Sequence, residues 1–457
     1  MRCTAVVLML LLSGGILAEA QNQVTPLHLT LEDAITQALK ANLGVRVANT
    51  QRVEADGARE RASSPLLPRI TADHVTSFQN RNLQALGLSM PGLPIPAVVG
   101  PFSNYDYRVF ASQAIIDRQA YHTWKSSERQ QVAASLTYQD TRDLVIRQAG
   151  GLYFEAEAAQ AQVEADEARV TTSEALLKLA QDQHSAGLAT AVDVVREQVQ
   201  LQRDQQTLLV ARDNYETSIL NLERYLGIRP GEPLELAEKL EFKAVELPDL
   251  DEAITAALKS RSDYRSLMSQ REAVLEQQRA SRARYLPKFS VDGNYGALGR
   301  SYGTMPGIGL IEGVISIDVF DRDRSGEKKE LASQVERIDS QIADLERGIE
   351  QDVRKAALDL QSAAQQVSVT QSGLDLAQRE LDLARDRFKN GLTDNIEVIT
   401  AQTSLQSAED DHIAALARHS DAALALARAL GATEGTYRKY VDVSPTGATQ
   451  EKGLAHP

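Results

Sequence analysis

The residue types that most often carry enzyme chemistry are sparse and scattered in this sequence. Its seven histidines show neither the His-x-x-x-His nor the His-Glu-x-x-His spacing of a metal site, and neither a glycine-rich phosphate loop nor a Gly-x-Ser-x-Gly nucleophile turn is present. His122, His184, His412 and His419 stand singly in stretches of helical periodicity, where a surface or packing role is commoner than ligation. The sequence therefore predicts no enzyme, no cofactor and no metal site.

One polar pattern does occur twice. Gly187-Leu188 precedes Asp193, and Gly391-Leu392 precedes Glu397, each time in the spacing Gly-Leu-x-x-x-x-(Asp/Glu)-Val. Glycine suits a reversal between two helices because it adopts left-handed backbone angles. An acidic residue in the first turn of the next helix complements the helix dipole. The pattern predicts two helix-to-helix turns, with helix capping as one interpretation of the carboxylates.

Composition and the N-terminus restrict the class of protein. Residues 1–20 are typical of a secretory signal peptide cleaved after Ala20, with Arg2 followed by an apolar run and a small-x-small end. The only cysteine, Cys3, lies inside that signal, so the mature chain has no thiol for disulfides, catalysis or lipidation. A net charge of −14 disfavours nucleic-acid binding. Beyond the signal no run of about 18 apolar residues predicts a transmembrane helix.

The sequence is an internal tandem repeat. Residues 31–40 match residues 250–259 at an offset of 219, whereas both Gly-Leu turns and the later Arg-x-Leu-Gly segments match at an offset of 204. The first copy therefore holds 15 extra residues, which we place in or near the Pro- and Gly-rich segment 88–101, expected to be an exposed loop. We expect a first repeat at 21–227, a linker at 228–249, a second repeat at 250–431 and a flexible tail at 432–457.

Each repeat contains a very long helix followed by a shorter one. In the second copy apolar and small residues recur at steps of 4 and 3 from Leu331 to Phe388, with one extra step of 4 after Ile349. The same positions shifted by 204 form a seam in the first copy, ending at His184. This periodicity predicts long helices at about 118–184 and 325–388, followed by helices at about 191–227 and 395–430. A helix of that length extends about 100 Å.

Segments of period two precede each long helix and predict strands at about 67–79, 104–116, 286–297 and 308–320. Ten of the 22 aromatic residues lie in or beside them, which favours a tilted membrane strand with one lipid face over the alternative of a soluble sheet. Pro68 and Pro287 follow helical stretches and mark helix-to-strand transitions. Four strands cannot close a barrel, so several chains must pool their strands around a pore that the long helices extend.

Together, the signal peptide, the duplicated strand pairs, the long helices and the Gly-Leu turns resemble TolC and the outer-membrane efflux proteins over residues 30–431. The resemblance implies a mainly α fold with a small β part. Long antiparallel helical hairpins would form a periplasmic α-barrel, and four strands per chain would join a trimeric 12-stranded outer-membrane β-barrel. It further implies a homotrimer in outer-membrane lipid that works with a periplasmic adaptor and an inner-membrane RND or ABC-type pump as a passive exit duct.

The same resemblance implies roles for the twice-occurring pattern. Gly187-Leu188 and Gly391-Leu392 would be the periplasmic tip turns at which the adaptor docks. Asp193 and Glu397 would contribute six carboxylates per trimer to the periplasmic aperture, a ring that favours cations; helix capping remains the alternative. Thr393 and Thr400 stand where the family's best-studied member has charged residues, so we expect fewer charged links at this aperture.

Two other functions remain open at this stage. A duct of the same kind can serve type I polypeptide secretion instead of small-molecule efflux, and the sequence does not separate the two cargoes. A coiled-coil surface protein without a channel would account for the helices but not for the aromatic-rich strand pairs at matching repeat positions.

Overall fold

The computed structural model describes residues 27–85, 87, 96–231, 234–390, 392–393, 395–431 and 433–441. The expected signal peptide, Gly391, most of the expected loop 88–101 and the end of the chain lie outside these residues. The helices are α1 Leu31–Ala41, α2 Leu43–Ser63, α3 Arg118–Ser185, α4 Ala191–Leu226, α5 Leu250–Ser260, α6 Ser262–Ala283, α7 Asp323–Lys389, α8 Asn395–Leu430 and α9 Thr433–Tyr440. The strands are β1 Leu27–Leu29, β2 Arg69–Asn82, β3 Val98–Ile116, β4 Leu234–Leu236, β5 Lys288–Gly299 and β6 Gly307–Ser316.

The order of elements repeats once along the chain. Two helices, two strands, a very long helix and a shorter helix occur as α1-α2-β2-β3-α3-α4 and again as α5-α6-β5-β6-α7-α8. The long helices α3 and α7 contain 68 and 67 residues, so each extends about 100 Å. A local signal sets the start of α3, because the Asp117 carboxylate accepts the Ala120 N–H at 2.9 Å and caps the helix.

Strands β2, β3, β5 and β6 form one antiparallel sheet in that order, so the two strand pairs of the repeat lie side by side. Residues directly opposite each other share a face, and the register therefore sorts the side chains into two faces of different composition. One face is mostly apolar and aromatic, and it carries Ile70, Ala72, Phe78, Tyr105, Tyr107, Val109, Ala111, Tyr295, Ile311 and Ile315 together with His74 and Thr76. The other face is mixed, and it carries the charged and polar residues Arg69, Asp73, Asp106, Arg108, Asp292, Asn294 and Glu312 together with Val75, Phe110, Ile308, Leu310 and Val314.

The strand bounds differ from the expected ones at two places. Strand β3 begins at Val98, which pairs with Asn82, so residues 98–101 of the expected loop belong to a strand. Strand β6 ends at Ser316 instead of about 320. Ser316 pairs with Lys288, the first residue of β5, and the preceding Pro287 has no N–H with which to extend the ladder. Residues 317–320 consequently have no strand partner in β5.

The helices pack around three apolar clusters. The largest surrounds the middle of α3, where the fully buried Tyr153 donates its hydroxyl to the Leu29 carbonyl at 3.1 Å. Gly150 lets α8 approach α3 closely, because a Cβ there would lie 2.3 Å from Leu424 Cδ2. The second cluster joins α7 to α5 and α8, and the third lies near the far ends of the long helices. Most seam positions of α7 are buried, whereas the last seam position of α3, His184, is exposed.

Two short elements depart from the expected linker and tail. Strand β4 lies within the expected linker and pairs in parallel with β1, which is 207 positions earlier in register. The expected loose tail begins with helix α9, because Thr433 and Tyr437 are buried and Glu434 accepts a hydrogen bond from Arg142 Nε at 2.9 Å. In the part of the chain that the structure describes, no helix is both long and apolar enough to cross a membrane.

Candidate functional site: the paired turns of the long helical hairpins

The turn between α3 and α4 is a Schellman motif centred on Gly187. Gly187 has φ +78°, its N–H bonds the His184 carbonyl at 3.0 Å, and the Leu188 N–H bonds the Gln183 carbonyl at 2.8 Å. A residue with a side chain is strained at that φ, which is why glycine stands there. The turn between α7 and α8 has the corresponding bond from the Leu392 N–H to the Arg387 carbonyl at 2.9 Å. The chain therefore reverses between two helices at Gly187-Leu188 and again at the turn that contains Leu392.

Asp193 lies in the first turn of α4 and completes a capping box with Thr190. The Thr190 N–H donates to Asp193 Oδ2 at 2.9 Å, and the Asp193 N–H donates to Thr190 Oγ1 at 3.3 Å. Arg196 adds an ion pair at 3.3 Å. The hydrogen bond from the Thr190 hydroxyl lowers the pKa of Asp193, so this carboxylate is held ionised. Asp193 therefore makes the helix-capping contact that the sequence offered as one interpretation of this carboxylate.

Glu397 has a different set of partners, all within its own hairpin. Arg387, near the end of α7, donates Nη1 to Glu397 Oε1 at 2.6 Å, and the Thr393 hydroxyl donates to Oε2. Within the chain, Glu397 therefore has both a hydroxyl partner at Thr393 and a charged partner at Arg387. About a third of the Glu397 side chain remains exposed (37 %).

Two amide side chains bring the turns together, and sequence reasoning missed both. Asn395 Nδ2 donates to the Asp193 carbonyl at 3.3 Å, and Gln183 Nε2 donates to the Phe388 carbonyl at 3.2 Å. Each bond joins the α3–α4 hairpin to the α7–α8 hairpin across about 200 residues of sequence. No hydrogen bond or ion pair connects Asp193 directly to Glu397 in the described part of the chain. The two carboxylates lie at the same end of the molecule but in separate turns.

Beneath the turns, buried polar groups continue the connection between the hairpins. Glu197 is fully buried beside Asn395, and burial raises its pKa while Asn395 partly offsets the effect. Further along, the buried Arg169 bridges Asp166 at 2.5 Å and Glu409 at 3.0 Å. The only signal of this network in the sequence was the presence of Asp166 at a seam position. Polar residues at seam positions can specify which helices pair and in which register.

The surface of the paired turns is apolar and exposed. Leu188 and Leu392 are 78 % and 71 % exposed. Beside them, α4 and α8 line a shallow groove of about 400 Å³ whose walls are Ala191, Val192, Val195, Arg196, Val199, Gln200, Arg203 and Ile399. Exposed leucines next to a valine-lined groove are typical of a surface that receives another protein.

The two predicted helix-to-strand prolines lie at equivalent positions at the opposite end of the helical part. Pro68 directly precedes β2 after α2 and a short 3-10 turn, and Pro287 directly precedes β5 after α6. No group of three or more His, Cys, Asp or Glu side chains able to hold a metal ion occurs among the described residues.

Two helices about 100 Å long, each followed by an antiparallel helix of 36 residues, lie between a four-stranded sheet and the paired turns. This arrangement defines a protein of the TolC-like channel fold. Solved channels of this fold superpose over most of their length. VceC of Vibrio cholerae has a TM-score of 0.74 at 15 % identity, covering 88 % of this chain and 96 % of that one. The Campylobacter jejuni channel CmeC has a TM-score of 0.73 at 15 % identity, covering 90 % of this chain and 89 % of that one. OprN has a TM-score of 0.73 at 18 % identity, covering 88 % of this chain and 89 % of that one.

Residues 34–228 and 253–432 match the family model described as outer membrane efflux protein. The chain therefore belongs to the outer membrane efflux protein family. The predicted family and the predicted fold class are confirmed. A comparison with curated protein sequences finds no significant match.

Proposed function

We propose that this chain is the outer-membrane exit duct of a tripartite exporter. Three copies span the outer membrane and reach through the periplasm, where they engage a periplasmic adaptor and an inner-membrane pump of the RND or ABC type. The assembly expels small molecules such as drugs, toxic compounds or metal ions, and the duct itself performs no chemistry. Family membership and the shared fold support the efflux-channel class, and the residues of this chain support the finer assignment.

The sheet and the exposed helix faces support a trimer. Strands β2 and β6 are the sheet's edges, and unpaired edge groups are costly in lipid, so edges from neighbouring copies must pair. Three copies supply twelve strands. On α7 an exposed apolar row at heptad spacing suits contact with another helix; its members are Val369, Leu376 and Leu383, which are 72 %, 62 % and 65 % exposed.

The observation that carries adaptor docking is the exposure of Leu188 and Leu392 on turns that Asn395 and Gln183 hold side by side. Apolar side chains at the end of a 100 Å rod contribute nothing to its packing. They would be covered when adaptor hairpins enter the adjacent groove. Asp193 and Glu397, just inside the same turns, would line the aperture in the trimer.

A complementation experiment tests this function. A strain lacking the gene is complemented with wild type, with Leu188→Glu/Leu392→Glu, or with Leu43→Glu as a matched control. Leu43 is 71 % exposed but lies beside Leu152 in the pocket at the middle of α3, about 50 Å from the turns. We expect the double variant to form heat-modifiable trimers in the outer membrane yet to lose drug efflux and cross-linking to the adaptor.

Full efflux by the double variant would contradict docking at these turns. Absence of trimers from outer-membrane fractions of the wild type would contradict the duct itself. If deleting the gene abolishes export of a polypeptide while leaving drug and metal susceptibility unchanged, the type I secretion alternative replaces small-molecule efflux.

A further inference from the structure

A small cationic pocket lies where the helical part meets the sheet. It has a volume of about 150 Å³ and opens between the end of α6 and the beginning of α7. Its walls are Gln278, Ser281, Arg282, Tyr285, Arg324, Lys328, Leu331 and Ala332. Three of these side chains are cationic and none is acidic, so the pocket suits an anion.

Three carboxylates of this region pair with Arg284, which is not a wall of the pocket. Arg284 contacts Glu327 at 2.9 Å, Asp321 at 3.3 Å and Asp323 at 3.6 Å, and Ser281 also donates to Glu327 at 2.8 Å. Neither Arg282 nor Lys328, both exposed, forms an ion pair among the described residues. Among the described residues, the positive charges of Arg282 and Lys328 are therefore not neutralised by a carboxylate, whereas Arg324 has Asp318 beside it.

Arg324 supplies an independent observation, because part of its hydrogen-bonding capacity is unused among the described residues. The residue is 3 % exposed, with its guanidinium 4.1 Å from the centroid of the Tyr285 ring. Nη2 donates to the Asp318 carbonyl at 3.1 Å and lies 3.6 Å from its carboxylate, but the buried Nε and Nη1 have no hydrogen-bond partner among the described residues. Buried charged donors are costly to leave unsatisfied, and a phosphate offers the oxygens that a guanidinium fork binds best.

Exposed apolar residues lie close in sequence to both helices that form the pocket, after the end of α6 and before the beginning of α7. Tyr285 and Leu286, before β5, are 58 % and 40 % exposed, and Val319 and Phe320, four to five residues before Arg324, are each 88 % exposed. A phosphate site next to exposed apolar residues fits an amphiphile better than a free ion. The helix-to-strand transition is also the level at which a membrane-inserted sheet meets the periplasmic headgroups.

We propose that this pocket binds the phosphate of a phospholipid from the periplasmic leaflet of the outer membrane, one lipid per protomer. Arg282, Arg324 and Lys328 hold the phosphate, and the acyl chains lie against the exposed apolar residues beside it. This inference rests on the proposed membrane insertion. A lipid bound at the junction between the helices and the sheet would hold this junction at a fixed depth in the membrane.

The test uses the full-length trimer purified in detergent and titrated with dioleoylphosphatidylglycerol under native mass spectrometry. The variant Arg282→Gln/Lys328→Gln is compared with Lys329→Gln/Arg337→Gln, which removes the same two charges from exposed residues of α7 outside the pocket. We expect about three high-affinity lipids per wild-type and control trimer, and an affinity lower by roughly tenfold or more in the pocket variant because two charge-assisted contacts are lost. Uncharged dioleoylglycerol should not compete.

Equal lipid affinity in the pocket variant and the control would overturn the proposal. Displacement of the lipid by millimolar inorganic phosphate, with the ion bound at the same stoichiometry, would show a free-phosphate site and would also overturn it. Efflux and trimer formation are measured on the same variants. If the wild type forms trimers and restores efflux but binds no lipid at the pocket, only this inference fails, whereas a wild type that forms no membrane trimer contradicts the proposed function first.

Discussion

Glu157 makes the free energy of unfolding of this protein fall as the pH rises. The residue lies on α3, is 5 % exposed, and faces the extended segment 237–243. Burial, with a smaller contribution from the charge of Glu238, raises the pKa of Glu157 from its ordinary value of 4.5 to about 8, and Lys243 offsets part of this rise. The folded protein therefore holds a proton that the unfolded chain releases near pH 4.5. We predict that Glu157→Gln removes this dependence.

The magnitude follows from the shift. Below pH 4.5 the carboxyl group is neutral in both states and carries no penalty. Between pH 4.5 and 8 only the unfolded state ionises, so the free energy of unfolding falls by about 1.4 kcal/mol per pH unit, or about 3 kcal/mol per protomer at pH 7. Glutamine has a similar shape and cannot ionise. For a chain of this size, 3 kcal/mol corresponds to a melting-temperature difference of about 3 °C.

The assay is thermal unfolding of the detergent-solubilised protein, followed by fluorescence at several pH values between 4.5 and 8.5. The melting temperature of Glu157→Gln should equal that of wild type near pH 4.5 and exceed it increasingly as the pH rises. Glu155→Gln, an exposed position two residues away on the same helix, serves as the control and should show no growing difference. A Glu157→Gln difference that is constant with pH, or that shrinks as pH rises, would refute the reasoning.

Two further predictions concern the end of the helical part that carries the paired turns. Arg169→Met leaves the carboxylates of Asp166 and Glu409 without their cation, at a cost of about 3–5 kcal/mol. Burial raises the pKa of both carboxyl groups, so they protonate readily in acid, and the loss of melting temperature should be large at pH 8 and small at pH 4.5; an equal loss at both would contradict this account. Asp193→Asn/Glu397→Gln should shift the single-channel current in planar bilayers from cation preference towards no preference, since six carboxylates are removed from the aperture of the proposed trimer. Unchanged selectivity would leave these residues with a capping role alone.

The helical part could be predicted closely because its signals are local. The expected long helix 118–184 corresponds to Arg118–Ser185, and the expected 325–388 to Asp323–Lys389. Seam periodicity, caps such as Thr190 with Asp193, and a glycine at each reversal all lie within a few residues of the features they specify. The repeat offset then supplied the same assignments for the first copy.

The strands and short elements were predicted less well because each depends on a distant partner. Strand β3 extends back to Val98 because β2 offers Asn82 to pair with, and β6 stops at Ser316 because β5 begins at Lys288. Helix α9 was expected to be a loose tail on account of its polar composition. Its Glu434 is anchored by Arg142, which is 292 residues earlier in the chain.

The candidate sites show the same difference between features specified by neighbouring residues and features that depend on distant ones. The sequence was sufficient to place both Gly-Leu turns and the acidic residue after each, because a reversal and a cap are specified by neighbours along the chain. It could not show that Asn395 would join one turn to the other, or that Arg282, Arg324 and Lys328 would line one pocket. Those relations arise from the packing of α8 against α4 and of α6 against α7. Burial and the balance of charge are properties of that packing, and no local window of sequence contains them.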